Sequence, residues 1–224
     1  MKKFYAKDVH ECKESKDIRM IRIEINNTVL RFKTSSAIFS PSGIDKGTLA
    51  LISQVSFDKN DKILDLGCGY GFVGIYASKI IEHKNIVMSD ISDDAIELSK
   101  YNAGLNGNEG ISIVKSDCLN NIKEDNFSLI LSNPPYRADF AVPKKFIEQS
   151  YKKLKVGGKM YMVTKRKDWY KNKFISIFGG VEIKEIDGYF VFLAQKRKKK
   201  DLSEEKNLNN MSKKLKRKYS HKNF

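Results

Sequence analysis

The sequence predicts an α/β fold with a mainly parallel sheet, and three observations carry that reading. From Lys62 onward, short apolar runs alternate with amphipathic stretches. A glycine-rich loop joins the first such run to the first amphipathic stretch. Near the end, two alternating runs flank Asp187-Gly188, the signature of a tight hairpin. Strands alternating with helices imply βαβ units, right-handed crossovers and ligands held at the carboxyl ends of the strands.

Taken in order, MIRIEI (20–25) and TVLRFK (28–33) alternate around Asn26-Asn27 and predict a small N-terminal β-hairpin. Residues 45–56 predict a short helix. KILDL (62–66) is a strand, and 72–82 a helix. NIVMS (85–89) is a strand, and Ser92 caps a helix running to about Asn106, with Asp93 and Asp94 set against its positive end. ISIVK (111–115) and FSLILS (127–132) are strands. A helix over 143–155 should end at Gly157-Gly158, before a strand KMYMVT (159–164). A helix around 168–178 stops at Gly179-Gly180, and VEIKEI (181–186) and YFVFLA (189–194) form the closing antiparallel hairpin.

The 224 residues hold 42 Lys and Arg against 27 Asp and Glu, a formal charge of +15. The excess is uneven. From Gln195 on there are 12 basic and 3 acidic residues, a net of +9, which leaves +6 for the body. Such a balance favours a polyanion as partner, through phosphate neutralisation and counterion release. The 41% hydrophobic content is enough to fill a core and excludes a wholly disordered chain. Three scattered cysteines, with no CxxC pair, argue against a disulfide framework. With three equally scattered histidines they also argue against a metal site. The N-terminus has no apolar h-region and no run reaches the ~18 residues of a bilayer span, so a soluble, cytoplasmic protein is expected.

The glycine loop, Asp65-Leu66-Gly67-Cys68-Gly69-Tyr70-Gly71, leaves a strand and opens a helix. A phosphate loop would need GxxxxGK[ST], which is absent. Gly69-Tyr70-Gly71-Phe72-Val73-Gly74 matches the dinucleotide pattern GxGxxG, and Asp90, closing the next strand, could take a ribose hydroxyl. S-adenosylmethionine binding would use the same loop, with Asp65 at the amino-acid part and Asp90 at the ribose. A turn with no ligand is the plain structural alternative. Tyr151 and Lys155 match the YxxxK of some dehydrogenases, a match that lysine richness makes by chance.

The deciding segment is Ser132-Asn133-Pro134-Pro135-Tyr136, at the end of the fourth strand of the alternating region. Consecutive prolines fix φ and remove backbone donors, leaving carbonyls free to accept. A planar exocyclic amine offers two N–H donors. The Asn133 side-chain oxygen and the Pro134 carbonyl can accept both, and Tyr136 can stack on the attached ring.

DLGCGYG, Asp90 and SNPPY, in this order, resemble a class I S-adenosylmethionine-dependent methyltransferase acting on an amino nitrogen. The segment Phe39-Ser40-Pro41-Ser42-Gly43-Ile44-Asp45-Lys46-Gly47-Thr48 and SDISDDAIELSKYNAGLNG (89–107) narrow the resemblance to the RsmC-like branch, which methylates guanine N2 in small-subunit ribosomal RNA. The resemblance covers about residues 18–196. It implies a Rossmann-like fold with a seven-stranded, mainly parallel sheet. Larger members carry a second, degenerate domain before the catalytic one, and this chain resembles the short single-domain form.

The resemblance implies roles for individual residues. Asp65, Gly67, Gly69 and Gly71 meet the methionine part of S-adenosyl-L-methionine, and Asp90 the ribose. Ile91 covers an adenine face, Asp117 accepts from the adenine amine, and Cys118 supplies a backbone N–H. Phe39, Lys46 and Thr48 line the mouth of the cofactor site. Asn133, Pro134, Pro135 and Tyr136 form the catalytic loop, and Arg137 is placed to meet a substrate phosphate. The expected organisation is an N-terminal hairpin extension (1–43), the methyltransferase domain (44–195) and a basic, disordered or transiently helical tail (196–224). RNA, as ribosomal RNA or a ribosomal subunit, is the expected partner, with no membrane and no metal. Alternatives are a release-factor glutamine methyltransferase, an adenine N6-methyltransferase, a non-catalytic RNA-binding protein and a dehydrogenase.

Overall fold

A computed structural model of the chain describes residues 6–13, 18–35, 44–135 and 139–198, the first of these segments by its backbone only. Two sheets are present among them. The smaller is antiparallel, in the order β1 (Ala6–Lys13), β2 (Ile18–Ile25), β3 (Thr28–Ser35). The β2–β3 turn uses Asn26 and Asn27 at φ 47° and 65°, left-handed values that asparagine tolerates. The expected hairpin therefore gains a third strand. β1 escapes a sequence reading because AKDVHECK carries charge at every second or third position and no apolar face.

The larger sheet has seven strands. Its elements in chain order are α1 (Lys46–Ser53), β4 (Ile63–Leu66), α2 (Phe72–Ala77), β5 (Ile86–Asp90), α3 (Asp93–Leu105), β6 (Ser112–Lys115), β7 (Phe127–Ser132), α4 (Ala141–Lys153), β8 (Leu154–Thr164), α5 (Asp168–Phe178), β9 (Glu182–Ile186) and β10 (Tyr189–Gln195). The strand order is β6-β5-β4-β7-β8-β10-β9. The first five are mutually parallel, and β10 is antiparallel to both its neighbours. The chain works outward from β4 to β6, then returns to β7 on the other side of β4. The ends of β4 and β7 thus form the topological switch point, where open α/β sheets hold ligands.

The faces follow from alternation. Ile63, Leu129 and Leu131 pack with α1, α2 and α3, while Leu64, Ile130 and Met160 pack with Phe146, Ile147, Phe174 and Phe178 of α4 and α5. Ile21, Ile23, Ile25, Leu30 and Phe32 of the small sheet join the first of these clusters, so the N-terminal strands share the core of the larger sheet. Helix α3 starts and ends where its caps predict: Ser92 accepts from Ala95 N–H at 3.4 Å, and Asn106 closes it.

Two expected boundaries move. Helix α2 ends at Ala77, five residues early. Gly157-Gly158 do not end a helix; β8 begins directly after Lys153 and runs through them. A side chain at Gly158 would meet the Phe127 carbonyl at 2.7 Å, and Gly157 sits at φ +83°, so glycine serves strand packing there. Lys196 extends the β10–β8 ladder, accepting from Gly157 N–H at 2.7 Å and donating to the Gly158 carbonyl at 2.9 Å. Its ammonium reaches the Lys152 and Leu154 carbonyls at the end of α4. Lys196 to Lys198, at the head of the expected tail, are described, while residues 199–224 lie outside the described residues. Among the described residues no helix is long and apolar enough to cross a membrane.

Candidate active site

The switch point opens into a cavity of about 340 Å³. It contains ten of the residues expected there: Thr48, Asp65, Gly67, Gly69, Asp90, Ile91, Asp117, Cys118, Asn133 and Pro135. Lys46, Gly71 and Pro134 lie outside its lining. Gly71 instead caps α2 at φ +90°, and a side chain on it would press on Ser99, Ile75 and Met88. Phe39, Tyr136 and Arg137 lie outside the described residues.

The glycine loop is bent by left-handed backbone at Gly67 (φ +76°) and Gly69 (φ +57°). A Cβ on Gly69 would meet nothing within 4 Å, so it would occupy open space beside the cavity. Helix α3 holds the loop from behind. Ser99 Oγ donates to the Gly69 carbonyl at 2.8 Å, and Asn102 Nδ2 to the Tyr70 carbonyl at 2.9 Å. The fully buried Asn102 also exchanges two hydrogen bonds with the Lys33 backbone, from Lys33 N–H at 2.7 Å and to its carbonyl at 2.9 Å. One side chain thereby ties the N-terminal sheet to the loop.

Asp65 is 3% exposed and accepts from Gly74 N–H at 3.0 Å. Burial pushes its carboxyl up to about 7; the Gly74 hydrogen bond opposes the rise and the neighbouring Asp90 adds to it. Asp90 accepts through both oxygens, from Gly69 N–H and from Ser92 N–H, each at 3.0 Å. Each oxygen keeps a further lone pair for a ligand. Ile91 lines the cavity yet is 63% exposed, an apolar side chain with water on one face. Cys118 stands at φ +53° and donates its thiol to Asp117 at 3.2 Å. Burial and that carboxylate raise Cys118 to about 11, and burial raises Cys68 well above the ordinary thiol range. Both stay protonated at neutral pH and make poor nucleophiles.

Across the switch point, Ser132 Oγ donates to the Leu66 carbonyl at 2.8 Å and ties the ends of β4 and β7 together. The next residue, Asn133, gives its amide hydrogens to Asp45 at 2.8 Å and to Thr48 Oγ1 at 2.9 Å. The carboxylate faces the NH₂ end, so Asn133 Oδ1 points the other way. That oxygen is buried and accepts no hydrogen bond. Asp45 is the residue that the sequence reading passed over. It caps α1, accepting from Thr48 N–H at 3.0 Å, and the Asp-x-x-Thr spacing of that cap was the available signal. Val142 and Phe146 of α4 complete an apolar wall and were also missed, since both read as helix core.

Residues 29–194 match the family model of the methyltransferase small domain. The chain belongs to that family. It is an S-adenosylmethionine-dependent methyltransferase, class I and RsmC-like. This methyltransferase is 31% identical to uncharacterized protein YbxB of Bacillus subtilis, over 88% of the chain and 100% of that relative. It is 29% identical to ribosomal RNA small subunit methyltransferase C of Psychromonas ingrahamii, over 81% of the chain and 52% of the relative. The chain thus spans about half the length of that relative. In fold it is similar to the 16S rRNA N2 G1207 methyltransferase (RsmC) of T. thermophilus, solved with AdoMet and guanosine. The TM-score is 0.74 at 20% identity, covering 86% of this chain and 58% of that one.

Proposed function

We propose that this methyltransferase transfers a methyl group from S-adenosyl-L-methionine to an exocyclic amine of a nucleobase in RNA, with guanine N2 of small-subunit ribosomal RNA as the target. The observation that carries the reading is the orphaned Oδ1 of Asn133. A buried acceptor without a donor is costly, roughly 1–3 kcal/mol, and is retained where a ligand supplies the donor. Here the side chain cannot rotate to relieve it, because Asp45 and Thr48 hold the NH₂ end. The Asp45 carboxylate also polarises the amide and strengthens Oδ1 as an acceptor.

The cavity suits the cofactor. Asp65 would hold its methionine ammonium, the spare lone pairs of Asp90 its ribose hydroxyls, and the exposed face of Ile91, with Asp117, its adenine. The open space at Gly69 admits the ligand close to the backbone. When bound, the cofactor supplies an electrophilic methyl group on a sulfonium whose departure leaves a neutral thioether. The protein's task is then orientation. Asn133 Oδ1 and the Pro134 carbonyl accept the two amine hydrogens and turn the nitrogen lone pair toward the methyl group. Tyr136 stacks on the base. The amine nitrogen forms the new bond to carbon and releases a proton to solvent.

The relatives named as ribosomal RNA methyltransferases support RNA as the acceptor. The antiparallel sheet of residues 6–35 is unlike the helical recognition domain usual in release-factor enzymes. The test is transfer of labelled methyl groups to naked ribosomal RNA, ribosomal subunits, DNA or release factor. Digestion of the product should give N2-methylguanosine from RNA. Label confined to glutamine of the release factor, or to adenine, would replace this acceptor with that one.

A further inference from the structure

The charge around the cavity mouth is divided. The β4–β6 side carries Asp65, Asp90, Asp93, Asp94 and Asp117 and suits a cationic ligand. On the β8–β10 side, the segment after β8 is Lys165-Arg166-Lys167, three consecutive exposed cations. Because β8 runs parallel to β7, with Ser132 opposite Met162, this segment projects beside the loop that begins at Asn133.

Each cation lies over an aromatic ring. Lys165 sits 5.0 Å from the centroid of Tyr189, Arg166 5.0 Å from Phe140 and Lys167 5.2 Å from Phe190. Tyr189 and Phe190 open β10, which runs back from this same edge. Phe140 is the last residue before α4 and also stacks on Trp169, centroid to centroid 4.4 Å. Arg166 is thus seated on an aromatic pair anchored to α4 and α5, two residues from the cavity-lining Val142. Ring contacts of this kind restrict a long cationic side chain while leaving its N–H groups outward. Lys144 and Lys145, in the first turns of α4, are also exposed. Asp139, beside Phe140, Asp168, beside Lys167, and Asp187, in the β9–β10 turn, match the three cations in number.

A base delivered to Asn133 must leave its stack, and its own 5′ and 3′ phosphates then lie at the mouth of the pocket. Phosphate contacts set register and orientation while the pocket reads the base. We propose that Lys165, Arg166 and Lys167 bind the RNA phosphates flanking the target nucleotide, with Arg166 as the fixed contact. The proposal rests on the RNA-amine reading above.

The test uses the full chain with Lys165, Arg166 and Lys167 all changed to Gln. Its control carries the same charge loss at Lys59, Lys123 and Lys155, exposed residues at the opposite edge of the sheet. S-adenosylhomocysteine affinity reports that the cofactor site is intact in each. The ridge variant should bind ribosomal RNA roughly tenfold more weakly, with a slope of log affinity against log salt shallower by about 2, near 0.7 for each of three phosphates on a single strand. KM for RNA should rise while kcat at saturation is largely kept. Arg166→Lys alone should retain charge yet recover only part of the loss, because the planar guanidinium is what the ring seats. If wild type methylates RNA but ridge and control variants share one affinity and one salt slope, the ridge proposal fails and the acceptor reading stands. If wild type labels a protein and no RNA, both fall together.

Discussion

Asp65 places a proton where cofactor binding can be read. Its native carboxyl is raised from 3.8 to about 7, so between those values the folded chain holds a proton that the unfolded chain has lost. Stability from this group therefore falls as pH rises through that window. In the proposed binding mode the cofactor's ammonium favours the ionised Asp65 carboxylate, so binding below about pH 7 would expel the proton. S-adenosylhomocysteine affinity should weaken by up to roughly tenfold per pH unit on going from about pH 7 to pH 5. Asp65→Asn should bind more weakly at neutral pH and lose most of that slope; calorimetry at three pH values decides it. At Asp45 the expectation is different. Asp45→Asn can keep the α1 cap, but its amide no longer offers Asn133 a charged acceptor. We expect transfer to fall about tenfold or more with S-adenosylhomocysteine affinity within about twofold, measured by steady-state rates beside calorimetry. These residues were unequally legible. Asp65 follows from its place beside the glycine loop, and Asp90 from its place closing the next strand. Asp45 was hidden because its partner, Asn133, lies 88 positions away, and only the folded contact joins them.

Among the elements, those with local signals were readable. The caps of α3, the Asp187-Gly188 turn at φ 50° and 77°, and the fully buried β7 were all marked by composition. What failed needed distant partners. β1 has no apolar alternation and exists by pairing with β2, and β8 passes through Gly157-Gly158 because the Phe127 backbone lies against them. Helix α2 shows how closely one element is fitted. A Cβ on Gly74 would stand 2.3 Å from Met88 Sδ and 2.5 Å from its Cγ, and Met88 is fully buried. Gly74→Ala should cost about 1–3 kcal/mol, read as a lower Tm in thermal melts. Asn102 couples elements rather than packing them. Asn102→Ala strands the Lys33 amide and the Lys33 and Tyr70 carbonyls, and should cost about 2–4 kcal/mol and weaken S-adenosylhomocysteine binding. Asn106→Ala, one turn on, loses contacts to the Arg31 backbone and to the Asn102 carbonyl but none to the glycine loop, and should leave cofactor affinity unchanged. Equal effects on affinity from the two would deny that Asn102 supports the loop.

The basic charge of the whole molecule is unevenly spread along the chain. The end of the β10–β8 ladder at Lys196 is opposite the cavity, and the residues beyond it carry most of the basic excess of the sequence. A cut after Lys198 keeps the Lys196 contacts to β8 and α4. It should leave Tm and cofactor binding intact while lowering RNA affinity and flattening its salt dependence, which titrations at several salt concentrations would show. Base choice should survive the cut, because it belongs to the pocket at the switch point. In that pocket we propose Asn133 Oδ1, buried and without a hydrogen bond, as the acceptor that orients a nucleobase amine. The most direct measurement is single-turnover methyl transfer to ribosomal RNA by wild type and Asn133→Ala, with the product digested to nucleosides and S-adenosylhomocysteine affinity measured alongside. The expected result is N2-methylguanosine from wild type and a loss of about a hundredfold or more in the variant, at unchanged cofactor affinity. An Asn133→Ala protein that methylates the same nucleoside at the wild-type rate would contradict it.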